Sequence, residues 1–223
     1  MNITHIFHSG FLVETEKQYF IFDYYKNDLP PLKKDKPVYV FASHAHPDHY
    51  EPKVFELLRR QGATIRVAIL AKDISENRYP EGVNVLKVGF DAEYKITEHI
   101  SIQTFHSTDA GVAYLVQCEE GNIFHAGDLH DWVWDGVPDQ VNRQMTGSYR
   151  HEIDKLKGMQ IDVAFIPLDP RQEKYYANGL LYFLEKVSVK KVYPMHFWGK
   201  YSVIDQFLRE YPQYENIVRR TKV

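Results

Sequence analysis

Between His44 and His49, in the stretch SHAHPDHY, four side chains able to bind a metal fall within six positions: His44, His46, Asp48 and His49. His-x-His places two imidazoles on the same side of an extended segment, so both can point at one ion. Pro47 ends the extended run, and Asp48 and His49 on the following turn can aim at a second position nearby. Imidazole and carboxylate are ligands that Zn²⁺ favours, and a site that keeps a position open for water is catalytic in type. So short a stretch cannot close two coordination spheres, and further ligands must come from elsewhere. Three later apolar runs end in suitable residues: His106 after ISIQTF, Asp128 after NIFHAG and His196 after KKVYPM. Each sits where an apolar run gives way to Gly, Pro, Ser or aromatic residues, the usual place for a site on a rigid scaffold. The bland alternative is a histidine-rich turn with solvated imidazoles.

Such residues need elements to hold them. ITHIF, GFLVET and QYFIFDYY are short β-branched or aromatic runs, separated by His8-Ser9-Gly10 and by Glu16-Lys17 as in a meander. VYVFAS (38–43) is the continuous apolar run of a strand covered on both faces. Val54, Leu57 and Leu58 have helical spacing, with Pro52 suited to a first helical turn. TIRVAIL, VNVLKV, EYKIT, ISIQTF, GVAYLVQ and NIFHAG return to strand character, and Glu119-Glu120-Gly121-Asn122 makes the last two a hairpin. In the second half, Val141, Met145, Tyr149, Ile153 and Leu156 predict one face of a helix. Leu180, Phe183, Leu184 and Val187 predict another, as do Val203, Ile204, Phe207, Leu208 and Tyr211, with DVAFIPL and KKVYPM as buried strands between these helices. No repeat or linker is visible, so a single domain over 1–223 is expected.

A chain of 223 residues can bury a core without a disulfide or metal staple. The lone Cys118 cannot form an internal disulfide and is expected in the core of a protein from a reducing compartment. The opening MNITHIFHSGFLVETEKQYF lacks the basic start and unbroken apolar run of a secretory signal. No stretch approaches the ~20 apolar residues of a membrane span. A cytoplasmic protein without a membrane partner is expected. A net charge of −3 with scattered Lys and Arg argues against a nucleic-acid partner.

These residues resemble the signature of the metallo-β-lactamase superfamily. Its H-x-H-x-D-H pattern is met by His44, His46, Asp48 and His49, and its isolated acid after an early strand by Asp23 in FIFDYY. Its third histidine matches His106, its bridging aspartate matches Asp128 in HAGD, and its final histidine matches His196. The resemblance spans nearly the whole chain and implies an α/β fold, a four-layer αββα sandwich with a dinuclear site at one edge of two packed sheets. It implies that His44, His46 and His106 hold one metal, that Asp48, His49 and His196 hold the other, that Asp128 bridges them and that Asp23 orients the ligands. ITHIFHSGFLVET resembles the small bacterial lactonase-like and phosphodiesterase-like branch. There the turn equivalent to HSG borders the metal centre, and His8 would donate to substrate or leaving group; a structural turn histidine is the alternative.

The implied cofactors are two divalent ions, zinc foremost, with manganese or iron served by the same ligands. Two dications outweigh the ligand carboxylates and a hydroxide between them, so the centre attracts anions and lowers the pKa of bound water. The expected function is metal-dependent hydrolysis of an ester, lactone or phosphodiester in a small anionic substrate. The alternatives are a nuclease of the same superfamily, which would want more basic surface, and an iron-dependent redox or dioxygen enzyme. Trp132 and Trp134 offer a substrate wall or core packing, and His130 could face the pocket. His125 is expected to be buried or supporting. His5, His99 and His151 are given no role. Arg143, Arg150, Arg171 and Lys174 could bind a phosphate tail or be merely solvated.

Overall fold

From Val38 onward every residue of Pro37–Ala42 is buried, which is how a parallel strand covered on both faces reads. The structure, a computed structural model, describes residues 1–221. It divides into two compact units, Met1–Gly89 and a second that begins at Phe90, each with its own six-stranded mixed sheet and helices. The expected α/β class is observed.

In the first unit β1 (Asn2–Phe7), β2 (Gly10–Glu14) and β3 (Tyr19–Phe22) form the expected antiparallel meander. β4 (Pro37–Ala42), β5 (Thr64–Ala71) and β6 (Val85–Val88) then add in parallel, in the order β1-β2-β3-β4-β5-β6. Helix α1 (Lys53–Arg60) returns the chain from β4 to β5 and buries Val54, Phe55 and Leu58 in a core with Val38, Val40 and Leu70. Each such apolar side chain contributes roughly 1.5–3 kcal/mol by leaving water. Because β1 and β4 both run parallel to β3, Phe7, Phe22 and Ala42 all end at the same edge of the sheet.

In the second unit β7 (Glu93–Lys95), β8 (Ser101–His106), β9 (Val112–Cys118) and β10 (Gly121–His125) pair antiparallel, with the expected hairpin joining Cys118 to Gly121. β11 (Gln160–Pro167) and β12 (Ser188–Met195) add in parallel beyond β10. Helix α2 (Asp139–Asp154) lies between β10 and β11 in the chain, α3 (Asn178–Lys186) between β11 and β12, and α4 (Ser202–Glu210) follows β12. The carboxyl ends of β8, β10, β11 and β12 share one sheet edge, since all four run the same way.

One predicted helix face is covered only in part, and one expectation needs correction. The α2 stripe is buried only at Tyr149 and Ile153, with Leu156 just beyond the helix; Val141 is 50% exposed and Met145 half-buried. The periodicity is right, but only the carboxyl half of the helix is covered. Cys118 is half-buried at the end of β9 rather than in the core, its Sγ on the Gly121 carbonyl at 3.3 Å. Burial raises its thiol pKa.

Candidate metal centre

The candidate ligands of the first unit follow strand ends. β4 ends at Ala42, and Ser43-His44 are wholly buried beyond it, while His46 is exposed. Asp23 follows β3 in a left-handed conformation, φ 42°, and His8 follows β1 with φ 57°. Asp and His tolerate this region better than most residues, and strain of this kind persists where the surroundings over-determine it. Part of that constraint is Gly10. A Cβ there would meet the Phe7 carbonyl at 3.0 Å and the Asp23 carbonyl at 3.1 Å, so a side chain would push the His8 turn away from Asp23.

Asp23 is fully buried and accepts three hydrogen bonds. Ser43 N donates to Oδ1 at 2.7 Å, and Ser43 Oγ at 2.6 Å and His49 Nδ1 at 2.7 Å donate to Oδ2. Since Ser43 Oγ gives its proton to Asp23, it can accept from His44 Nδ1 at 2.9 Å. Both imidazoles thereby keep the proton on Nδ1 and present the Nε2 lone pair, the form in which a histidine binds a metal. His44 Nε2 lies 2.9 Å from His46 Nδ1. Asp48 Oδ2 lies 3.3 Å from His8 Nε2 and 3.9 Å from His49 Nε2. Donor atoms of His8, Asp48 and His49 fall within 4.8 Å of one another. Burial resists ionisation of Asp48, but the His8 hydrogen bond and the His49 charge outweigh it and hold the carboxyl below its ordinary range.

In the second unit Asp128 follows β10, and His196 follows β12 with φ 64°. His196 Nε2 is 3.3 Å from Asp128 Oδ1, and its Nδ1 is 2.9 Å from Asp169 Oδ2. Asp169 follows β11, is fully buried, and is also held by Arg171 through Nε at 2.9 and 3.0 Å. Burial opposes its charge, yet the bonds from His196 and Arg171 keep its carboxyl below the usual range. The loop bearing Asp128 is pinned by Thr108, whose Oγ1 donates to the His130 carbonyl at 2.6 Å and accepts from His130 N at 2.9 Å. Trp132 Nε1 donates to the Asp128 carbonyl at 2.9 Å, and its ring stands edge-on to His196 at 5.2 Å and stacks on Trp134 at 6.1 Å.

Ligand atoms on a tetrahedral zinc with bonds near 2.0–2.1 Å are about 3.3–3.4 Å apart. The pairs His8–Asp48 and His196–Asp128, both at 3.3 Å, fit that spacing, and His44–His46 is slightly tighter. The donor set of imidazole and carboxylate therefore suits a divalent cation. His106 differs. It lies at the end of β8, exposed, with its imidazole edge-on to Phe90 at 4.3 Å. Among the described residues it joins no group of three donors that share ligand spacing.

Other histidines settle into support. His125 is buried and accepts from Gly127 N at 3.1 Å through Nδ1. His5, to which the sequence assigned no role, bonds the His8 carbonyl at 3.1 Å. His130 is fully buried rather than pocket-facing, with Nε2 on Gln172 Oε1 at 2.8 Å. Sequence reasoning missed Ser43 and Asp169. Asp169 carried a signal, an acid directly after the buried run DVAFIPL, the context that singled out Asp23 in FIFDYY.

Comparison with known proteins follows the same lines. A family model described as "Beta-lactamase superfamily domain" matches residues 2–144. A UPF0173 metal-dependent hydrolase of Methanopyrus kandleri is 29% identical over an alignment of 143 positions that covers 57% of this chain and 62% of that relative, less than two thirds of its length. Among solved structures, Igni18, described as a novel metallo hydrolase of Ignicoccus hospitalis, superposes with a TM-score of 0.64 at 18% identity over 99% of this chain and 94% of that one. CmlA, a diiron β-hydroxylase of Streptomyces venezuelae, gives 0.63 at 12% identity over 98% of this chain and 52% of the other. At such identities the two structures share the fold with this chain. Among the described residues no helix is long and apolar enough to cross a membrane.

Proposed function

This chain belongs to the β-lactamase superfamily, and on that premise we propose that it is a metal-dependent hydrolase of a small anionic ester, lactone or phosphodiester. We take His44, His46 and His106 as ligands of one divalent ion, Asp48, His49 and His196 as ligands of a second, and Asp128 as their shared carboxylate. The observation that carries the reading is that His49 and His196 each give their Nδ1 proton to a fully buried carboxylate, Asp23 at 2.7 Å and Asp169 at 2.9 Å. A buried carboxylate is costly unless it is paired and hydrogen-bonded, and here the pairing also fixes the tautomer that leaves Nε2 free to ligate.

When bound, such ions supply Lewis acidity towards the scissile carbonyl or phosphoryl group and make water acidic enough to be a nucleophile at neutral pH. The protein's own part is orientation. Asp23 and Asp169 hold the ligand rings, Ser43 relays Asp23 to His44, and Thr108 fixes the Asp128 loop. His8, with Nε2 facing Asp48, is the proposed proton donor to the leaving group. Trp132, edge-on to His196, is the proposed wall that keeps a substrate against that histidine.

The test is an activity panel on protein reconstituted with Zn²⁺ or Mn²⁺, covering lactones, thioesters, phosphomonoesters, phosphodiesters and short RNA. Turnover of a small ester, lactone or phosphodiester that disappears on chelation is expected. Cleavage of RNA alone would assign the chain to nucleases. The fold shared with a diiron hydroxylase gives a second reading some support. A coloured protein as isolated, holding iron and inactive on the whole panel, would favour that reading instead.

A further inference from the structure

Of the four cationic side chains that the sequence offered for an anion, two are already occupied. Arg171 is spent on Asp169, and Lys174 pairs with Asp135 at 2.9 Å. Arg143 and Arg150 are not. Among the described residues neither makes an ion pair and both are exposed; Arg150 lies over the face of the Tyr182 ring at 4.8 Å, and its charge is felt by Asp131 and Glu185 without a direct pair. They stand seven positions apart on α2, two full turns, so they project from the same side of the helix. Both line one cleft of about 490 Å³, whose other walls include Tyr175, Asn178 at the start of α3, and Val133. Asp139 is the single carboxylate among the lining residues, set against the two guanidinium groups.

We propose that this cleft is a binding site for the phosphate group of a small molecule, held between the Arg143 and Arg150 guanidinium groups. Guanidinium presents paired N–H donors that match the oxygens of a phosphate, and two of them balance a dianion. The cleft also reaches the candidate metal loop. Val133 lies five positions after Asp128, and Thr146 on the same wall donates to the buried Asp131 carboxylate at 2.7 Å.

The inference goes beyond the hydrolase reading and is tested without it, on protein stripped of metal by a chelator and dialysed, so that no bound ion can hold the anion. Inorganic phosphate is titrated calorimetrically at low ionic strength, where such contacts are least screened. One saturable site is expected, with affinity about tenfold weaker in Arg143→Gln and in Arg150→Gln. Arg143→Lys, which keeps the charge and loses the paired donors, should fall between them and the unsubstituted protein. Arg209→Gln, an exposed arginine on α4, should bind as the unsubstituted chain does. Absence of a saturable site, or affinity that Arg143→Gln and Arg150→Gln leave unchanged, would overturn the proposal.

Discussion

Asp169 Oδ2 lies 2.9 Å from His196 Nδ1 and repeats, in the second unit, the relation between Asp23 Oδ2 and His49 Nδ1 at 2.7 Å in the first. Asp23 comes one residue after β3 and Asp169 two after β11, and each is wholly inaccessible. The repetition gives a prediction. In Asp169→Asn, the amide oxygen would turn to Arg171, placing the NH₂ against His196 Nδ1. That arrangement favours a proton on Nε2, where a ligand needs its lone pair. Metal affinity should fall about 10–100-fold, the usual cost of losing such a partner, and competition with a chromophoric chelator would measure it. Asp23→Asn should do the same through His49. Affinity unchanged in both variants would remove the orienting role.

Loss of the ligands themselves should be read as stoichiometry. His44 Nε2 and His46 Nδ1, 2.9 Å apart, are proposed to hold one ion together. The double substitution His44→Ala/His46→Ala should therefore lower the bound metal by about one equivalent while the second ion, on Asp48, His49 and His196, is retained. Elemental analysis after reconstitution decides it. Full metal content in the double variant would dismiss the cluster as a metal site.

Much of this arrangement could be read from residue order, for a physical reason. A ligand that directly follows an apolar run, such as Asp128 after β10 or His196 after β12, announces both the strand and the edge to which it delivers the side chain. Asp169 announced itself in the same way, but only its partner His196 shows why it matters, and that partner is 27 positions away. Ser43 was invisible because its part depends on a hydroxyl that gives one hydrogen bond and takes another. The orientation of His130 was left open because spacing along a loop does not fix which way a ring turns. The α2 stripe shows the converse limit. Periodicity at Val141 and Met145 specifies a helix face, whereas burial requires something to cover it, and near the amino end little does.

Gly179 tests how tightly the Asp128 loop is packed. It is the second residue of α3, and a Cβ there would collide with His130 Nδ1 and come within 3.3 Å of the Asp131 amide. Alanine in place of glycine would by helix propensity alone add up to about 1 kcal/mol. Overpacking a closed core costs about 1–3 kcal/mol, and the neighbour here is a fully buried ring with its other nitrogen tied to Gln172. The clash should win. Gly179→Ala should lower the unfolding free energy, measured in urea, by about 1–2 kcal/mol, and an increase would show that the ring can yield.

His130 should make the metal-free protein sensitive to mild acid. Gln172 gives both amide protons to backbone carbonyls, Asp131 at 2.7 Å and Val133 at 3.2 Å, so its Oε1 must accept from His130 Nε2–H. Nδ1 then carries a lone pair and has no hydrogen-bond partner, and burial pushes the imidazole pKa down to about 4 from an ordinary 6.5. The folded-state value is the lower one, so stability from this residue is full above pH 6.5. As the pH falls further, the unfolded chain binds a proton that the folded chain refuses until about pH 4. Over that window the loss approaches about 3 kcal/mol. His130→Gln lacks the titration, so its unfolding free energy should change less between pH 6.5 and 4, whatever its starting value. Buried carboxylates such as Asp169, with lowered pKa values, lose their contribution at more acid pH and do not mask the difference. Parallel pH profiles for the two proteins in denaturant titrations would show that His130 is not held neutral.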